Sequence, residues 1–196
     1  MKIANGIKLP NPELIKPEYQ ITCNHLVFNA DIDNLMRLVI DFLDKINVPI
    51  IFYMEIPCTD QEEQELRKDI EDSFHQNLYY LRIEDKEDVL SILNKYGDIL
   101  LHDGLSRFGL LSYELDEIYI SKYNVTYIKG KNFRNYVELL EDYNYTRTEE
   151  IITPWKTFSK ENYGTASRIT INGLDVYYIL TELKKEGMYL FKTITE

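Results

Sequence analysis

The sequence has little cysteine, glycine, proline or tryptophan. Its 196 residues include only 2 Cys, 8 Gly, 6 Pro and 1 Trp, which excludes a disulfide-stapled scaffold, a collagen-like chain and a low-complexity polymer. Hydrophobic residues make up 44% of the chain and charged residues 28%, the proportions of a protein with a packed core. These numbers predict a folded globular chain, with one domain or one domain and an appended lobe.

Basic residues are also scarce relative to acidic ones. The chain has 33 Asp and Glu against 22 Lys and Arg, a formal net charge of -11. A field of this sign repels phosphate backbones and anionic lipid headgroups, and no cluster of Lys and Arg reverses it locally. We therefore expect binding to neither nucleic acid nor membranes, and a basic protein is the partner that the charge favours.

Long apolar runs are missing as well. Apolar residues nowhere continue for the roughly 18 positions that a membrane-spanning helix needs, and residues 1–16 contain no apolar signal segment. The two cysteines, Cys23 and Cys58, lack metal-ligand spacing and are expected to be buried thiols in a reducing compartment. The sequence therefore predicts a cytoplasmic protein.

Hydrophobic periodicity predicts an α+β fold. Residues 1–19 contain three of the six prolines and are expected to form an extended N-terminal arm. After this arm, predicted strands alternate with predicted helices, and the βαβ-like order indicates a mostly parallel or mixed β-sheet with helices packed on it. The strands are placed at 20–28, 50–54, 78–83 and 98–102, and the helices at 32–43, 60–74 and 89–96.

The second half of the chain has a different pattern. Three short strands, at 105–113, 117–121 and 124–129, predict an antiparallel meander that is followed by further helices and strands. We expect one α+β domain over residues 20–196, with sub-lobes 20–103 and 104–196 as the alternative. The later elements are placed at 133–140 (helix), 166–172 (strand), 176–183 (helix) and 188–194 (strand).

The densest charge in the sequence lies between Asp60 and Asp72, where seven acidic residues and two basic ones leave -5. The predicted helix here has only a narrow apolar stripe of Leu66, Ile70 and Phe74. One interpretation is a docking face for a basic partner, and the other is a solvated helix whose first-turn acids are stabilised by the macrodipole. The residues assigned to a partner interface are Asp60, Glu62, Glu63, Glu65, Asp69, Asp72 and Trp155, the last of which fits a core position equally well.

The segment 102–109 has the composition of a catalytic loop and follows a predicted strand. His102 is a candidate general base, Arg107 is a candidate anion clamp, and Asp103 lies between them in sequence. The alternative is an ordinary Asp-Gly turn. Because no second histidine or carboxylate is placed to complete a dyad, we assign no catalytic residue. An enzyme or small-molecule-binding protein that uses this loop is the second hypothesis.

Neither thiol nor metal chemistry is predicted elsewhere. Cys58 precedes a helix start, a position that lowers a thiol pKa, but the carboxylates next to it oppose that shift. The 3 histidines are not at ligand spacing, so we predict no metal and no cofactor.

Tyrosine is the most abundant aromatic residue, with 16 copies. Its large ring and polar tip make it a favoured interface residue, although an AT-rich genome would also encode many tyrosines. Together with the charge, this favours a non-catalytic domain that binds a basic protein. One concrete form is an immunity or antitoxin protein that covers a basic nuclease, since small acidic bacterial immunity proteins are similar in size and charge. A homo-oligomer paired through exposed tyrosines is the third hypothesis.

Overall fold

The structure, a computed structural model, describes residues 1–195 and contains five α-helices, one sheet of nine strands and a second sheet of two strands. The predicted α+β class is therefore confirmed. The strands are β1 (Ile7–Lys8), β2 (Glu18–Ile21), β3 (His25–Asn29), β4 (Ile50–Pro57), β5 (His75–Ile83), β6 (Arg107–Ser112), β7 (Glu117–Ile120), β8 (Val125–Lys129), β9 (Thr146–Thr148), β10 (Thr165–Ala166) and β11 (Tyr189–Thr195). The helices are α1 (Ile32–Lys45), α2 (Asp60–Leu66), α3 (Lys86–His102), α4 (Val137–Asp142) and α5 (Val176–Lys185), with 3-10 turns at Pro12–Leu14, Lys122–Asn124, Phe133–Tyr136 and Pro154–Thr157.

The large sheet has the strand order β11-β5-β4-β6-β7-β8-β3-β2-β9, and β1 pairs with β10 separately. Neighbouring strands are antiparallel except β2 and β9, so the sheet is mixed. Because β5 and β6 are both antiparallel to β4, they run in the same direction, and α3 connects them as a split βαβ unit. The predicted βαβ-like order is therefore present, but β4 lies between the two parallel strands. Of the two predicted sheet types, mostly parallel and mixed, the mixed sheet is the one observed.

Four predictions of element bounds are wrong. The single strand predicted at 20–28 is two strands, β2 and β3, which pair antiparallel across a short turn. Residues 98–102 continue α3, because Gly97 does not end the helix but lets it approach α1, where a Cβ would collide with the Met36 side chain. Helix α2 ends at Leu66, because the chain then turns around the Asp72 carboxylate, which accepts the backbone N–H of Lys68 at 2.8 Å. The strand predicted at 166–172 is reduced to β10, because the backbone N–H of Ile169 donates to the Asp103 carboxylate and a turn with positive φ occupies residues 172–173.

The helices cover one face of the large sheet. In β4, Phe52 and Met54 point into the core that α1, α3 and α5 complete, whereas Tyr53 and Glu55 alternate onto the opposite face. Helix α1 forms as predicted, since Asp31 caps its start by accepting the Asp33 N–H at 3.1 Å. We call the sheet surface that carries Tyr53 the open face.

Three chain segments meet backbone to backbone at Gly6 and Gly104. The Gly6 N–H donates to the carbonyl of His102 at 2.9 Å, the Gly104 N–H donates to that of Ser167 at 3.0 Å, and the Ser167 N–H donates to Gly6 at 2.7 Å. Neither glycine leaves room for a side chain. This crossing holds the N-terminal arm and the β10 segment against the end of α3.

Candidate functional site

His102 lies at the C-terminal end of α3 and contacts the N-terminal arm. Its Nδ1 atom accepts the backbone N–H of Asn5 at 3.1 Å, and its carbonyl oxygen accepts that of Gly6. Partial burial lowers the pKa of the imidazole below its usual value. The ring is therefore a neutral hydrogen-bond acceptor that holds the arm in place.

Asp103 is buried, and its carboxylate accepts hydrogen bonds from backbone N–H groups. One carboxylate oxygen accepts the N–H groups of Leu105 and Ser106 at 3.0 and 2.7 Å, and the other accepts that of Ile169 at 3.2 Å. The predicted Asp-Gly turn thus starts with an Asx-type hydrogen-bond pattern, and the same carboxylate fixes the segment after β10.

Arg107 is on β6, and its side chain lies on the open face, away from α3. It donates to Glu55 at 2.8 Å, and the two side chains are only 11% and 12% exposed. The hydroxyl of Tyr119 donates to the same Glu55 oxygen at 2.9 Å. Burial, followed by the Glu55 charge, raises the pKa of Tyr119 to about 12. The structure therefore does not bring His102, Asp103 and Arg107 together as one constellation.

The His102 contact gives a pH prediction. Because the pKa of His102 is lower in the folded chain than in the unfolded chain, the unfolded chain binds this proton at higher pH. The free energy of unfolding therefore decreases as the pH falls below the pKa of an unfolded-state histidine, about 6.5. We expect the free energy of unfolding in urea to decrease between about pH 7 and pH 5, and His102→Gln to remove part of that slope. An unchanged slope in His102→Gln would contradict the prediction.

The acidic segment 60–72 divides into two parts in the structure. Thr59 caps α2 through a capping box with Glu62, whose other oxygen accepts from Asn77 on β5 at 2.9 Å. Glu63 is buried and accepts both the backbone N–H and the ring Nδ1 of His75, at 2.6 and 3.1 Å. Glu62 and Glu63 therefore anchor α2 to the sheet.

The other part of this segment faces solvent. Asp60, Glu65 and Asp69 are exposed, and the predicted apolar stripe is exposed beside them. Ile70 is 89% exposed and Phe74 is 57% exposed, with the Arg67 guanidinium 4.3 Å from the Phe74 ring centre. We call residues 60–74 the acidic hairpin. It presents apolar side chains surrounded by carboxylates.

Trp155 lies in a different part of the fold. It belongs to the 3-10 turn after β9 and is 40% exposed, with its ring 6.3 Å from that of Tyr123. Tyr123 lies in the 3-10 turn before β8, whereas the acidic hairpin connects β4 to β5. The structure places two strands, β6 and β7, between β4 and β8, so Trp155 and the hairpin do not form one patch.

The two cysteines differ from each other. Cys58 is buried before α2, and burial, followed by the charges of Glu62 and Glu63, raises the pKa of its thiol to about 11. A reactive thiolate is therefore disfavoured, as the neighbouring carboxylates predict. Cys23 is exposed in the turn between β2 and β3, so the expectation that both thiols are buried is wrong for this residue.

A row of aromatic side chains crosses the open face, and the sequence interpretation missed it. Strand register aligns the side chains of five strands with Gly109 of β6 at the centre. We call this set the aromatic row: Tyr189, Tyr80, Tyr53, Tyr119 and Tyr127. The signal available in the sequence was the alternation of Tyr53 and Glu55 with the core residues of β4.

The aromatic row is nearly neutral in charge. Glu55 pairs with Arg107, and Glu117 pairs with Lys129 at 3.1 Å. The Tyr53 hydroxyl also donates to Glu117 at 2.6 Å. The surplus of acid therefore lies elsewhere on the chain.

Two exposed aromatic side chains end this row at the sheet edge. Tyr189 and Phe191 are 53% and 51% exposed on β11, and the Phe191 ring stacks parallel to that of Tyr80 with centroids 4.4 Å apart. Tyr189 and Phe191 share this face as alternate residues of β11, and the bulge between 190 and 192 brings Lys192, which pairs with Leu78, to the same face.

Comparisons with protein-family models, curated proteins and solved structures found no match. Among residues 1–195, no helix combines the length and apolar character needed to cross a membrane. The same residues contain no group of three or more His, Cys, Asp or Glu side chains placed to hold a metal ion. A cavity of about 520 Å³ lies between α3, α5 and β5, and its lining includes none of the predicted site residues.

Proposed function

We propose that this chain is a non-catalytic protein-binding domain that recognises a basic protein through the acidic hairpin. The observation that carries the proposal is the exposure of Ile70 and Phe74 among carboxylates that the fold does not use. Large apolar side chains at a surface mark interaction sites when they cluster, and aromatic residues dominate binding energy at such sites. Glu62 and Glu63 bind residues of β5, and these contacts fix the position of the helix from which the exposed apolar side chains extend.

The charge of the chain selects the chemistry of the partner. With a net charge of -11, association with a basic protein is accelerated by long-range attraction, and this attraction weakens as salt is added. An immunity or antitoxin protein that covers a basic nuclease is a specific form of this function. In that form the exposed carboxylates take the place of the phosphates that the nuclease binds.

The test compares two variants of equal charge by affinity capture from native lysate, with elution in a salt gradient. In the hairpin variant, Asp60→Asn, Glu65→Gln and Asp69→Asn change the net charge from -11 to -8. In the control, Glu13→Gln, Glu149→Gln and Glu161→Gln make the same change at exposed positions outside the hairpin. We expect the wild type and the control to retain one stoichiometric basic protein. The hairpin variant should release it at about half the salt concentration or lower.

A third variant distinguishes direct apolar contact with the partner from long-range electrostatic attraction. Ile70→Ser with Phe74→Ser keeps the net charge and removes the apolar contact, so we expect capture to be lost at all salt concentrations. Equal elution of the hairpin variant and the control would contradict the proposed site. Capture of no stoichiometric basic protein by the wild type would contradict the function.

A further inference from the structure

We infer that Asn172 is a site of spontaneous deamidation, at which the turn before α5 converts an asparagine into an aspartyl or isoaspartyl residue. The chain contains two Asn-Gly pairs, Asn5-Gly6 and Asn172-Gly173, and their surroundings in the fold differ. This inference concerns neither the acidic hairpin nor a partner, so it does not depend on the proposed function.

Asn-Gly is the pair of residues most prone to this reaction, because glycine has no Cβ to hinder the approach of its nitrogen to the asparagine side chain. The Gly173 nitrogen gives up its proton and attacks Cγ of Asn172, so that a new N–Cγ bond forms and the bond from Cγ to the amide nitrogen breaks. The amide group takes up one proton and leaves as ammonia, and a succinimide remains. Water then adds to one of the two succinimide carbonyls and opens the ring to aspartate or isoaspartate. Water is therefore the only co-reactant.

The turn at Asn172 is exposed and held by few contacts. Asn172 and Gly173 are both exposed, with the positive φ values of a two-residue turn, 52° and 80°. Two backbone hydrogen bonds of 2.9 Å between Ile171 and Leu174 close the turn. Within residues 1–195, neither the Asn172 side chain nor the Gly173 N–H has a hydrogen-bond partner, and a Cβ added at Gly173 would meet nothing within 4 Å. The reacting groups can therefore rearrange once these two hydrogen bonds open.

The turn at Asn5 exposes the same side chain but buries the attacking nitrogen. The Gly6 N–H donates to the His102 carbonyl at 2.9 Å, and the Asn5 N–H donates to the His102 ring at 3.1 Å. Backbone atoms of Gly104 and Ser167 lie 2.5 Å from the position of an added Cβ at Gly6. Moving the Gly6 nitrogen toward the Asn5 side chain therefore requires the crossing of three segments to separate. We expect this opening to be rarer than that of the second turn, so Asn5 is protected in the folded chain.

Deamidation changes both the charge and the geometry of the turn. Either product has a carboxylate in place of the amide, so the net charge changes from -11 to -12. In isoaspartate the backbone continues through Cγ, which adds one atom to the connection between Ile171 and Leu174. Both of these side chains pack against the core, and the next residue, Asp175, caps α5. The modification therefore lengthens the connection immediately before a helix that the core depends on.

The test is peptide mapping of the purified full chain during incubation at mildly alkaline pH. Trypsin releases Asn5 in peptide 3–8 and Asn172 in peptide 169–184, and neither peptide contains another asparagine. Mass spectrometry measures the amide lost from each peptide, and methylation by an isoaspartyl carboxyl methyltransferase with S-adenosylmethionine measures isoaspartate. We expect deamidation in the folded chain to be about tenfold or more faster at Asn172 than at Asn5.

Two controls show whether the fold causes this difference. In guanidinium chloride both Asn-Gly pairs are freely accessible, so we expect the two rates to agree within about threefold. Asn172→Gln should remove most of the acidic form that ion-exchange chromatography detects in the incubated folded chain, and the matched variant Asn5→Gln should not. The inference is overturned if Asn172 keeps its amide in the folded chain while the denatured chain deamidates, or if both asparagines react equally fast in the folded chain. Because the measurement uses no partner, its failure leaves the acidic hairpin proposal unaffected.

Discussion

Arg107→Leu should lower the free energy of unfolding by about 3–5 kcal/mol, because it leaves the Glu55 carboxylate buried without its cation. Glu55 is 12% exposed, and its remaining donor among the contacts described above is the Tyr119 hydroxyl. A loss of this size is a large fraction of the stability of a typical domain. Urea denaturation followed by circular dichroism measures it directly.

Two controls define the origin of this loss. The double variant Arg107→Leu and Glu55→Leu removes both charges, so we expect it to recover most of the stability. Lys129→Leu breaks the neighbouring pair with Glu117, in which the lysine is 46% exposed, and should cost less than about 1 kcal/mol. If Lys129→Leu is as destabilising as Arg107→Leu, burial of the Arg107 pair is not the cause.

Gly6→Ala has the second-largest expected effect, a loss of about 3 kcal/mol or more in the free energy of unfolding. An added Cβ would lie 2.5 Å from the Gly104 nitrogen and the Ser167 oxygen, and 2.7 Å from the His102 oxygen. All three are backbone atoms, so no side-chain rotation relieves the clash. Thermal denaturation and urea titration should both show the loss.

Gly173→Ala is the matched control for Gly6→Ala. Gly173 has open space where a Cβ would be added, but its φ of 80° makes an alanine strained. We expect a cost of only about 1–2 kcal/mol from this strain. Equal losses in the two variants would show that the crossing at Gly6 has more freedom than its contacts indicate.

Local patterns were sufficient to predict the elements whose signals lie close together in sequence. Helix α1 was predicted because its apolar positions repeat with helical spacing and Asp31 supplies the cap. The acidic hairpin shows the limit of such patterns. Leu66, Ile70 and Phe74 repeat with helical spacing, but the Asp72 carboxylate binds the backbone N–H groups of residues 68 and 69 and turns the chain.

The candidate surfaces were only partly predictable. The acidic hairpin was found from charge density alone, because its residues are consecutive. The aromatic row depends on strand order and register, since Tyr53 meets Tyr119 only because β6 places a glycine between them. No periodicity within one strand contains that information. Of the neighbouring Tyr79 and Tyr80, Tyr79 is buried and Tyr80 belongs to the aromatic row.

The order of strands also determines when the sheet can be completed during synthesis. Strand β3 pairs with β8, so Leu26 can pair with Ile128 only after about a hundred further residues have been synthesised. At ribosomal speeds of about 5–20 residues per second, this interval lasts about 5–20 s. The long separation also makes β3 pairing entropically slow, whereas β4 to β8 pair through nearer segments. One edge of the apolar strand β3, the edge that does not pair with β2, is therefore open to non-native pairing during this interval.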